Sequence, residues 1–477
     1  MRGKPRDNIY ALGIKNILSS FQSQIVALSV GVVLSFVLPV VIGIEQFGYW
    51  QVYLLYVTFT MFFGLGFTDG IYLTYGNFDY EDLPHEKLRS TLRVYTVTAI
   101  VFTAFALLLA LHEKDPNKQF ALISATLNIF LLLLSNAAVS TLQFTNRIRE
   151  YSFIVAIGKL LLLLGVVLLI ILKICNFKTV IAVDLITKTI ILAVNAYLIR
   201  EVFFGKASNY ASAIKDWFLN VRTGINIMLA VYASTLVMNI GRILIERFDG
   251  IRVYSSYALA VSISSFFLVF VSTFSLSFYP FLKRVNSLKL PNIYEKTNTF
   301  LFFISFAMLG VYFPLSFIIK NWYVDYIAVI QYLPLFLIMT LMQGKEQFLH
   351  VTYMKTLRKE GILLLINVVF SILAGLILIP LYFTTKSVYG VALVTSILII
   401  VKSYSLEFYL RWKNLRLGFK NISVELSLIV FFVLTTAYAK AITSITLFAI
   451  VVLILFFIKR IVLLDFTRRL YSEFRSH

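Results

Sequence analysis

Four lysines interrupt stretches of sequence that are otherwise apolar: Lys159, Lys188, Lys345 and Lys402. A charged side chain at the centre of a bilayer costs about 2.5–3.5 kcal/mol on insertion scales, so each of these lysines needs a physical reason to be there. If they face one interior space, they form a cationic vestibule that attracts an anionic group strongly, because the local dielectric is low. We predict that these lysines, together with Arg242, bind the anionic part of a substrate.

Each of these cations also has a simpler explanation. Lys159 and Lys402 lie toward the ends of their apolar stretches, from where a long side chain can extend its ammonium group to the membrane surface. Lys188 follows Asp184 by four residues, so the two side chains can pair along one helix. Arg242 lies near the end of its stretch, where an arginine can anchor a helix at the interface, and Glu407 is expected to do the same near the end of span 388–410. The sequence leaves these alternatives open.

Three acidic residues at membrane depth are predicted to take part in ion coupling: Asp69, Asp184 and Glu346. Asp69 lies in segment 64–70, whose three glycines permit close approach of another helix. A carboxyl group in such a place can carry a coupling proton or sodium ion, and the alternative is a carboxylate paired to a neighbouring helix. Glu346 follows Lys345 directly, and adjacent residues point about 100° apart on a helix, so these two face each other poorly.

Sequence motifs of several enzyme classes do not occur in the chain. It has no G-x-x-x-x-G-K-[ST] phosphate loop and no H-E-x-x-H zinc motif. Its histidines are too scattered to suggest a metal site, and its single cysteine, Cys175, allows no intramolecular disulfide. We predict that the protein is not an enzyme, that it holds no metal, and that its only cofactor is a coupling proton or sodium ion.

The elements that position these residues are predicted from composition. The 477 residues are 60% hydrophobic and 14% charged, with a mean hydropathy of +0.87. Soluble domains contain about 45–50% apolar and about 25% charged residues, so this composition indicates a membrane protein. A net charge of +20 would suggest nucleic acid in a soluble protein. Here Lys and Arg lie mainly in alternate connecting segments, as expected beside a membrane, and we predict no nucleic-acid partner.

The apolar stretches predict helices rather than membrane strands, because they are long and continuous. A helix needs about 20 apolar residues to cross about 30 Å of hydrocarbon, which gives an all-α polytopic membrane protein with about fourteen spans. We predict these spans at residues 16–43, 48–76, 92–112, 120–144, 152–173, 179–200, 222–246, 252–280, 297–319, 326–351, 361–382, 388–410, 421–440 and 443–459.

The basic residues predict the orientation of the spans. With the N-terminus in the cytoplasm, the outer side holds only these: Lys114, Lys118, Lys173, Lys178, Arg247, Arg252, Lys320, Lys386 and Lys440. Because cytoplasmic loops carry the excess of Lys and Arg, we predict that both termini are cytoplasmic. The basic N-terminus is followed by a polar start to the first span, so we expect an uncleaved span rather than a signal peptide.

A weak internal repeat predicts the domain organisation. Segment 44–56 aligns without gaps on segment 245–257, and both join an outward-going span to an inward-going one. An offset of six spans is even, so the halves would be parallel copies; chance similarity is the alternative. We predict an N-terminal six-helix lobe at 1–203, a cytoplasmic linker at 204–221, a second six-helix lobe at 222–412, and a C-terminal helix pair with a basic tail at 413–477.

Three segments of the sequence resemble those of a known family: Asn239-Ile-Gly-Arg-Ile-Leu-Ile245, Val253-Tyr-Ser-Ser-Tyr-Ala258 and Phe278-Tyr-Pro-Phe-Leu-Lys-Arg284. With the helix count and loop pattern of the whole chain, they resemble the multidrug/oligosaccharidyl-lipid/polysaccharide exporter superfamily. Within it, the chain is most similar to the polysaccharide transporter group, the Wzx-type O-antigen flippases. It departs from the cation-coupled drug exporters of that superfamily, because span 1 has no carboxylate between Asn16 and Gly43.

The resemblance implies a flippase that moves an undecaprenyl-diphosphate-linked oligosaccharide from the inner to the outer leaflet of the bacterial inner (plasma) membrane. Such a protein would work by ion-coupled alternating access in the assembly of O-antigen lipopolysaccharide or capsule. Its partners would be membrane lipid, a polysaccharide polymerase and a chain-length regulator. The alternatives on the same fold are a cation-coupled drug or metabolite antiporter and a lipid II flippase.

Overall fold

The computed structural model describes residues 6–76, 78–206, 209–284, 287–415, 417–418, 420–438 and 442–457. These residues are almost entirely helical and include no strand. Eight of their helices are long and apolar enough to cross a membrane, and two shorter apolar helices lie near the C-terminus. Helices satisfy their own backbone hydrogen bonds, as a hydrocarbon environment requires. The predicted fold class, an all-α polytopic membrane protein, is confirmed.

The chain divides into two compact units. Unit 1 comprises Met1–Thr235 and Asp249–Ser255, and unit 2 comprises Leu236–Phe248 and Ser256–His477. The division therefore falls inside a helix. Residues 210–221, which we predicted as part of a linker, form the first turns of that helix.

The helices of unit 1 are separated by short connections. They are α1 (Arg6–Thr58), α2 (Phe67–Tyr75), α3 (His85–Ala110), α4 (Pro116–Phe144), α5 (Ile148–Ile171), α6 (Phe177–Leu198), α7 (Arg200–Phe203) and the first part of α8 (Tyr210–Phe248). Gly43 interrupts α1 with a φ of 77°, at the point where the sequence predicts the turn between spans 1 and 2.

Unit 2 begins in the last part of α8 and contains most of the next helix. Its helices are α9 (Ile251–Arg284), α10 (Leu290–Met308), α11 (Tyr312–Trp322), α12 (Val329–Lys345), α13 (Val351–Thr356), α14 (Glu360–Thr385), α15 (Val388–Tyr409), α16 (Lys420–Tyr438) and α17 (Ile442–Phe457). Two π-helical turns follow α12 and α15, at Glu346–His350 and Leu410–Leu415. Each predicted span overlaps one or more of the helices in the two units.

Several helices begin at side chains that accept hydrogen bonds from free backbone N–H groups. Asp115 accepts from the backbone of the first turn of α4, and Pro116 follows it in the first position of that helix. Asn176 accepts from the first turn of α6, where Thr179 completes a capping box. Such caps stabilise a helix by about 1 kcal/mol each and fix the residue at which it starts.

Glycines bring α2 and α8 together within unit 1. Leu65 and Gly66 adopt left-handed backbone conformations just before α2. A methyl group added at Gly66 would lie 2.6 Å from the carbonyl carbon of Gly224 on α8, and one added at Gly70 would overlap the backbone of Asn220. The two helices therefore touch backbone to backbone, and the expectation that these glycines permit close approach is confirmed.

This contact predicts that Gly224→Ala destabilises unit 1. The new methyl group would overlap the carbonyl oxygen of Gly66, so the helices must separate, and overpacking of this kind costs about 1–3 kcal/mol. We expect a lower thermal unfolding midpoint for the detergent-solubilised variant. Gly375→Ala on α14 is the matched control, because nothing lies within 4 Å of its added methyl group. An unchanged midpoint for Gly224→Ala would contradict the contact.

Candidate functional site

A polar cluster lies between α1, α4, α5 and α6 of unit 1. At its centre, the Tyr53 hydroxyl donates a hydrogen bond to Asp184 Oδ2. Lys188 Nζ lies 2.6 Å from the same oxygen and 3.3 Å from the Tyr53 hydroxyl. Asn128 Nδ2 donates to that hydroxyl at 3.0 Å, while its Oδ1 is buried without a hydrogen-bond partner in the described structure. We call Tyr53, Asn128, Asp184, Lys188 and the nearby Lys159 the unit 1 polar cluster.

The unit 1 polar cluster has more positive than negative charge. Lys159, on α5, lies within electrostatic range of Asp184 and Lys188. Its side chain is exposed and has no ion pair or hydrogen bond among the described residues. Two lysines thus share one carboxylate, and Lys188 keeps about a fifth of its side chain accessible (20%). An accessible positive surplus beside hydroxyl and amide groups is suited to binding an anion.

A second charged cluster is buried in unit 2. Lys345 Nζ, at the end of α12, lies 2.6 Å from Glu407 Oε2 on α15 and 2.5 Å from Glu425 Oε2 on α16. Arg411 donates to the other oxygen of Glu407 at 2.6 Å and also to Glu295 on α10. We call Glu295, Lys345, Glu407, Arg411 and Glu425 the unit 2 ion network; it joins four helices.

Neutral side chains complete the coordination of Glu425. Asn298 Nδ2 donates to Glu425 Oε1 at 3.0 Å, and the Tyr404 hydroxyl donates to Oε2 at 3.1 Å. Both oxygens of this buried carboxylate therefore accept hydrogen bonds. A buried ion pair is tolerated only when its remaining lone pairs are satisfied in this way.

The remaining buried ions of this region form a separate pair. Lys402 on α15 lies 3.0 Å from Glu346 Oε1, and both side chains are nearly inaccessible. One alternative for Lys402 was that its ammonium group extends to the membrane surface. The buried pair with Glu346 contradicts that alternative. Glu407 was expected to anchor a helix at the interface, and this expectation is wrong, because its side chain is fully buried in the unit 2 ion network.

The residues predicted to form the vestibule differ in how many carboxylates lie beside them. Lys159 and Lys188 belong to unit 1, where they outnumber the acid beside them. Lys345 and Lys402 belong to unit 2, where each pairs with buried carboxylates. Arg242 is partly exposed and lies 3.4 Å from Asn239 on its own helix. Whether any of them binds substrate stays a prediction.

The acids predicted for ion coupling also differ. The alternative that Asp184 pairs with Lys188 along one helix is confirmed, and Glu346 pairs with Lys402. Asp69 is half-buried in the first turn of α2 and makes no ion pair among the described residues. The alternative in which Asp69 is paired to a neighbouring helix finds no ion pair among the described residues. Its role in coupling stays a prediction.

The sequence reasoning missed several residues of both clusters. Glu425 lies inside the predicted span 421–440, so its charge at membrane depth was a signal of the same kind as the lysines. Arg411 follows Glu407 by four residues, which is the spacing of an ion pair on a helix. Tyr53 and Asn128 carried no signal of this kind, because their partners lie on other helices.

Comparison with solved structures identifies the fold. The chain is similar to the lipid II flippase MurJ in an inward closed conformation, with a TM-score of 0.61 and 17% identity over 94% of this chain and 99% of that chain. An outward-facing multidrug resistance MATE family transporter of the MOP superfamily gives 0.58 and 14% identity, covering 89% and 98% of the two chains. The inward-facing conformation of such a transporter gives 0.60 and 14% identity over 85% and 99%. The chain shares the fold of these three structures.

No protein-family model matches the chain, and no curated protein sequence matches it. The assignment of the fold therefore rests on structural similarity.

The unit 2 ion network predicts an effect of mutation on the stability of unit 2. Lys345→Ala leaves Glu407 and Glu425 buried with one cation fewer, and removal of one partner from a buried ion pair costs about 3–5 kcal/mol. We expect a clearly lower thermal unfolding midpoint in detergent. Lys345→Ala/Glu425→Gln should recover part of the loss, because Glu407 keeps Arg411. The Glu425→Gln variant completes a double-mutant cycle with these two. If Lys345→Ala and Lys345→Ala/Glu425→Gln lowered the unfolding midpoint equally, the ion pair between Lys345 and Glu425 would be contradicted.

Proposed function

We propose that the protein is a flippase that moves an undecaprenyl-diphosphate-linked oligosaccharide from the inner to the outer leaflet by ion-coupled alternating access. The product would supply the assembly of a surface polysaccharide, O-antigen or capsule. The MOP transporter fold supports a carrier, and its neighbours of known structure include a lipid II flippase and multidrug transporters. The sequence resemblance to the polysaccharide transporter group supports the finer assignment.

The observation that carries this proposal is the positive surplus of the unit 1 polar cluster. A diphosphate carries negative charge at neutral pH, and a low-dielectric site with spare lysines attracts it strongly. Lys159 and Lys188 supply the charge, while Tyr53 and Asn128 offer polar groups beside it. The same surplus repels the cationic substrates of a drug exporter, which disfavours that alternative.

The proposal includes a place in the cell and a set of partners. The distribution of Lys and Arg supports cytoplasmic termini, and the sequence resemblance implies a multi-pass protein of the bacterial inner membrane. A flippase at this position would take its substrate from membrane lipid and deliver it to a polymerase and a chain-length regulator on the other face.

A lipid II flippase is the second candidate. MurJ covers 94% of this chain at the fold level, and α16 and α17 extend the chain beyond twelve spans. Lipid II also carries a diphosphate, so the unit 1 polar cluster suits it equally well. The two candidates differ in the sugar and in whether loss of the gene is lethal.

The deciding experiment is deletion of the gene in its host. Surface polysaccharide would be measured together with the lipid-linked oligosaccharide that remains in the inner leaflet. Loss of the glycan with accumulation of the lipid-linked unit would support the proposal. Lethality with accumulation of lipid II would favour the second candidate. An unchanged glycan with altered tolerance to drugs or cations would instead indicate an antiporter.

A single variant tests the role of the unit 1 polar cluster. A hydrogen bond to a charged group contributes about 1.5–3 kcal/mol, so Lys159→Gln should lower the flipping rate about tenfold or more. Because Lys159 makes no ion pair in the described structure, the variant should retain its expression and thermal stability. Lys320→Gln on α11 is the matched control, since it removes the same charge from an exposed lysine. Equal glycan export by both variants in a deletion strain would contradict a substrate role for Lys159.

A further inference from the structure

A cavity of about 580 Å³ lies in unit 1 where three connections between helices meet. Its lining comes from residues 79–81 between α2 and α3, from Arg147 just before α5, and from residues 197–201 at the end of α6 and in α7. No residue of the unit 1 polar cluster lines it. Small-molecule sites typically have volumes of about 300–1,000 Å³, so the cavity has the size of a binding site. The distribution of Lys and Arg places it on the side proposed to be cytoplasmic.

Buried apolar side chains hold the lining of this cavity in place. Leu83, Ile199 and Val202 are all buried and belong to one hydrophobic cluster of unit 1. From α3, Arg89 Nε donates a hydrogen bond to the backbone carbonyl of Glu201 at 3.2 Å. A buried core side chain typically contacts about 6–12 other residues, so these connections are anchored at several points. The cavity is therefore formed before any ligand binds.

Tyr80 and Arg147 form one side of the cavity. The Arg147 guanidinium lies over the Tyr80 ring, 4.7 Å from its centroid. Arg147 Nε donates to Glu150 Oε1 at 3.1 Å, and its Nη1 donates to the backbone carbonyl of Leu198 at 3.0 Å. These contacts fix the orientation of the guanidinium group. Because this group has five N–H donors, others are left for a ligand.

Four exposed polar side chains line the rest of the cavity without an ion pair or hydrogen bond in the part of the chain that the structure describes: Asp79, Glu81, Tyr197 and Arg200. Tyr197 keeps 69% of its surface accessible. Carboxylates only accept hydrogen bonds, and guanidinium groups only donate them. A ligand that satisfies both kinds of group must therefore offer donors and acceptors side by side.

The charges of the lining disfavour an ionic ligand. Three carboxylates and two guanidinium groups line the cavity. A phosphate would be repelled by the carboxylates, and an ammonium group would be repelled by the guanidinium groups. A metal ion is a poor occupant too, since the described residues include no group of three His, Cys, Asp or Glu that could hold one. A hydroxyl group carries no charge and both donates and accepts, so a neutral ligand with many hydroxyl groups fits best.

We propose that this cavity binds the sugar part of the lipid-linked substrate. Asp79, Glu81 and Arg200 would form hydrogen bonds with its hydroxyl groups, and the Tyr197 ring would pack against a sugar ring. Tyrosine suits this role, because it combines an apolar ring with a hydroxyl group that stays in water. The unit 1 polar cluster and the cavity then recognise different parts of one substrate, its diphosphate and its sugar. The identity of the sugar rests on the proposed function, whereas the binding of a neutral sugar does not.

Saturation-transfer difference NMR on the purified full-length protein tests the cavity. The probe is the oligosaccharide released from the host's lipid-linked pool by mild acid, which has neither the lipid nor the diphosphate. A detergent without a sugar head group is required, because a glycoside detergent would compete for the site. We expect saturable binding by the wild type. Glu81→Ala and Tyr197→Ala should each raise the Kd about tenfold, as expected for the loss of one strong contact.

Two matched controls keep this result specific to the cavity. Glu86→Ala and Tyr438→Ala remove the same side chains from exposed positions that do not line it, and both should leave the Kd unchanged. A wild type without saturable binding would overturn the proposal, and so would equal Kd values for the wild type and both cavity variants. Tighter binding of inorganic diphosphate or of spermidine at these residues would also overturn it, because the cavity would then be an ion site.

Gene deletion separates this proposal from the proposed function. If deletion stops export of the glycan and the lipid-linked unit accumulates, but the purified protein does not bind the released oligosaccharide, the flippase proposal stands and the sugar site fails. If the protein binds the oligosaccharide through Glu81 and Tyr197, but deletion leaves the glycan and the lipid-linked pool unchanged, the sugar site stands and the flippase proposal fails.

Discussion

Neutralisation of charge in an apolar interior is the constraint on which both units depend. Lys345 shows it most clearly, because this ammonium group lies between Glu407 and Glu425 and is almost inaccessible. A single charge there would be costly, but a network whose hydrogen-bonding groups are satisfied can be buried. A buried charge of this network left without its partner would be destabilising. The faces of α12, α15 and α16 that carry the network must therefore meet. The ion pairs therefore specify packing in a region where apolar side chains alone are nearly interchangeable.

The two units solve this problem differently. In unit 2 each buried lysine has carboxylate partners, so the charges have a structural explanation within the unit. Among the described residues of unit 1, Lys159 makes no ion pair and Asp69 pairs with no cation. Ions without partners are expensive to keep at membrane depth, so they are the positions where a substrate or a proton has something to contribute.

The fold was predictable because the length of each apolar segment can be read directly from the sequence, without knowledge of contacts between distant residues. The run 148–171, for example, is apolar enough that only a helix across the membrane satisfies its backbone. The ionisable residues were also identifiable one by one, as Lys345 and Lys402 were. Their partners were not, because the pairing of Lys345 with Glu425 depends on which faces of distant helices meet. The pairing of Asp184 with Lys188 was foreseeable, since it follows from the four-residue spacing on one helix.

The π-helical turns at Glu346–His350 and Leu410–Leu415 have a consequence for variation in length. A π turn accommodates one residue more than the α-helical turn that would replace it. Deleting a single residue there would restore an ordinary α-helix and rotate everything beyond it by about 100°. Beyond the π turn at Glu346–His350, that rotation would carry Tyr353 out of its buried position. One-residue gaps at these two places should therefore be rare among functional relatives, although most other insertions and deletions fall in connecting loops at little cost.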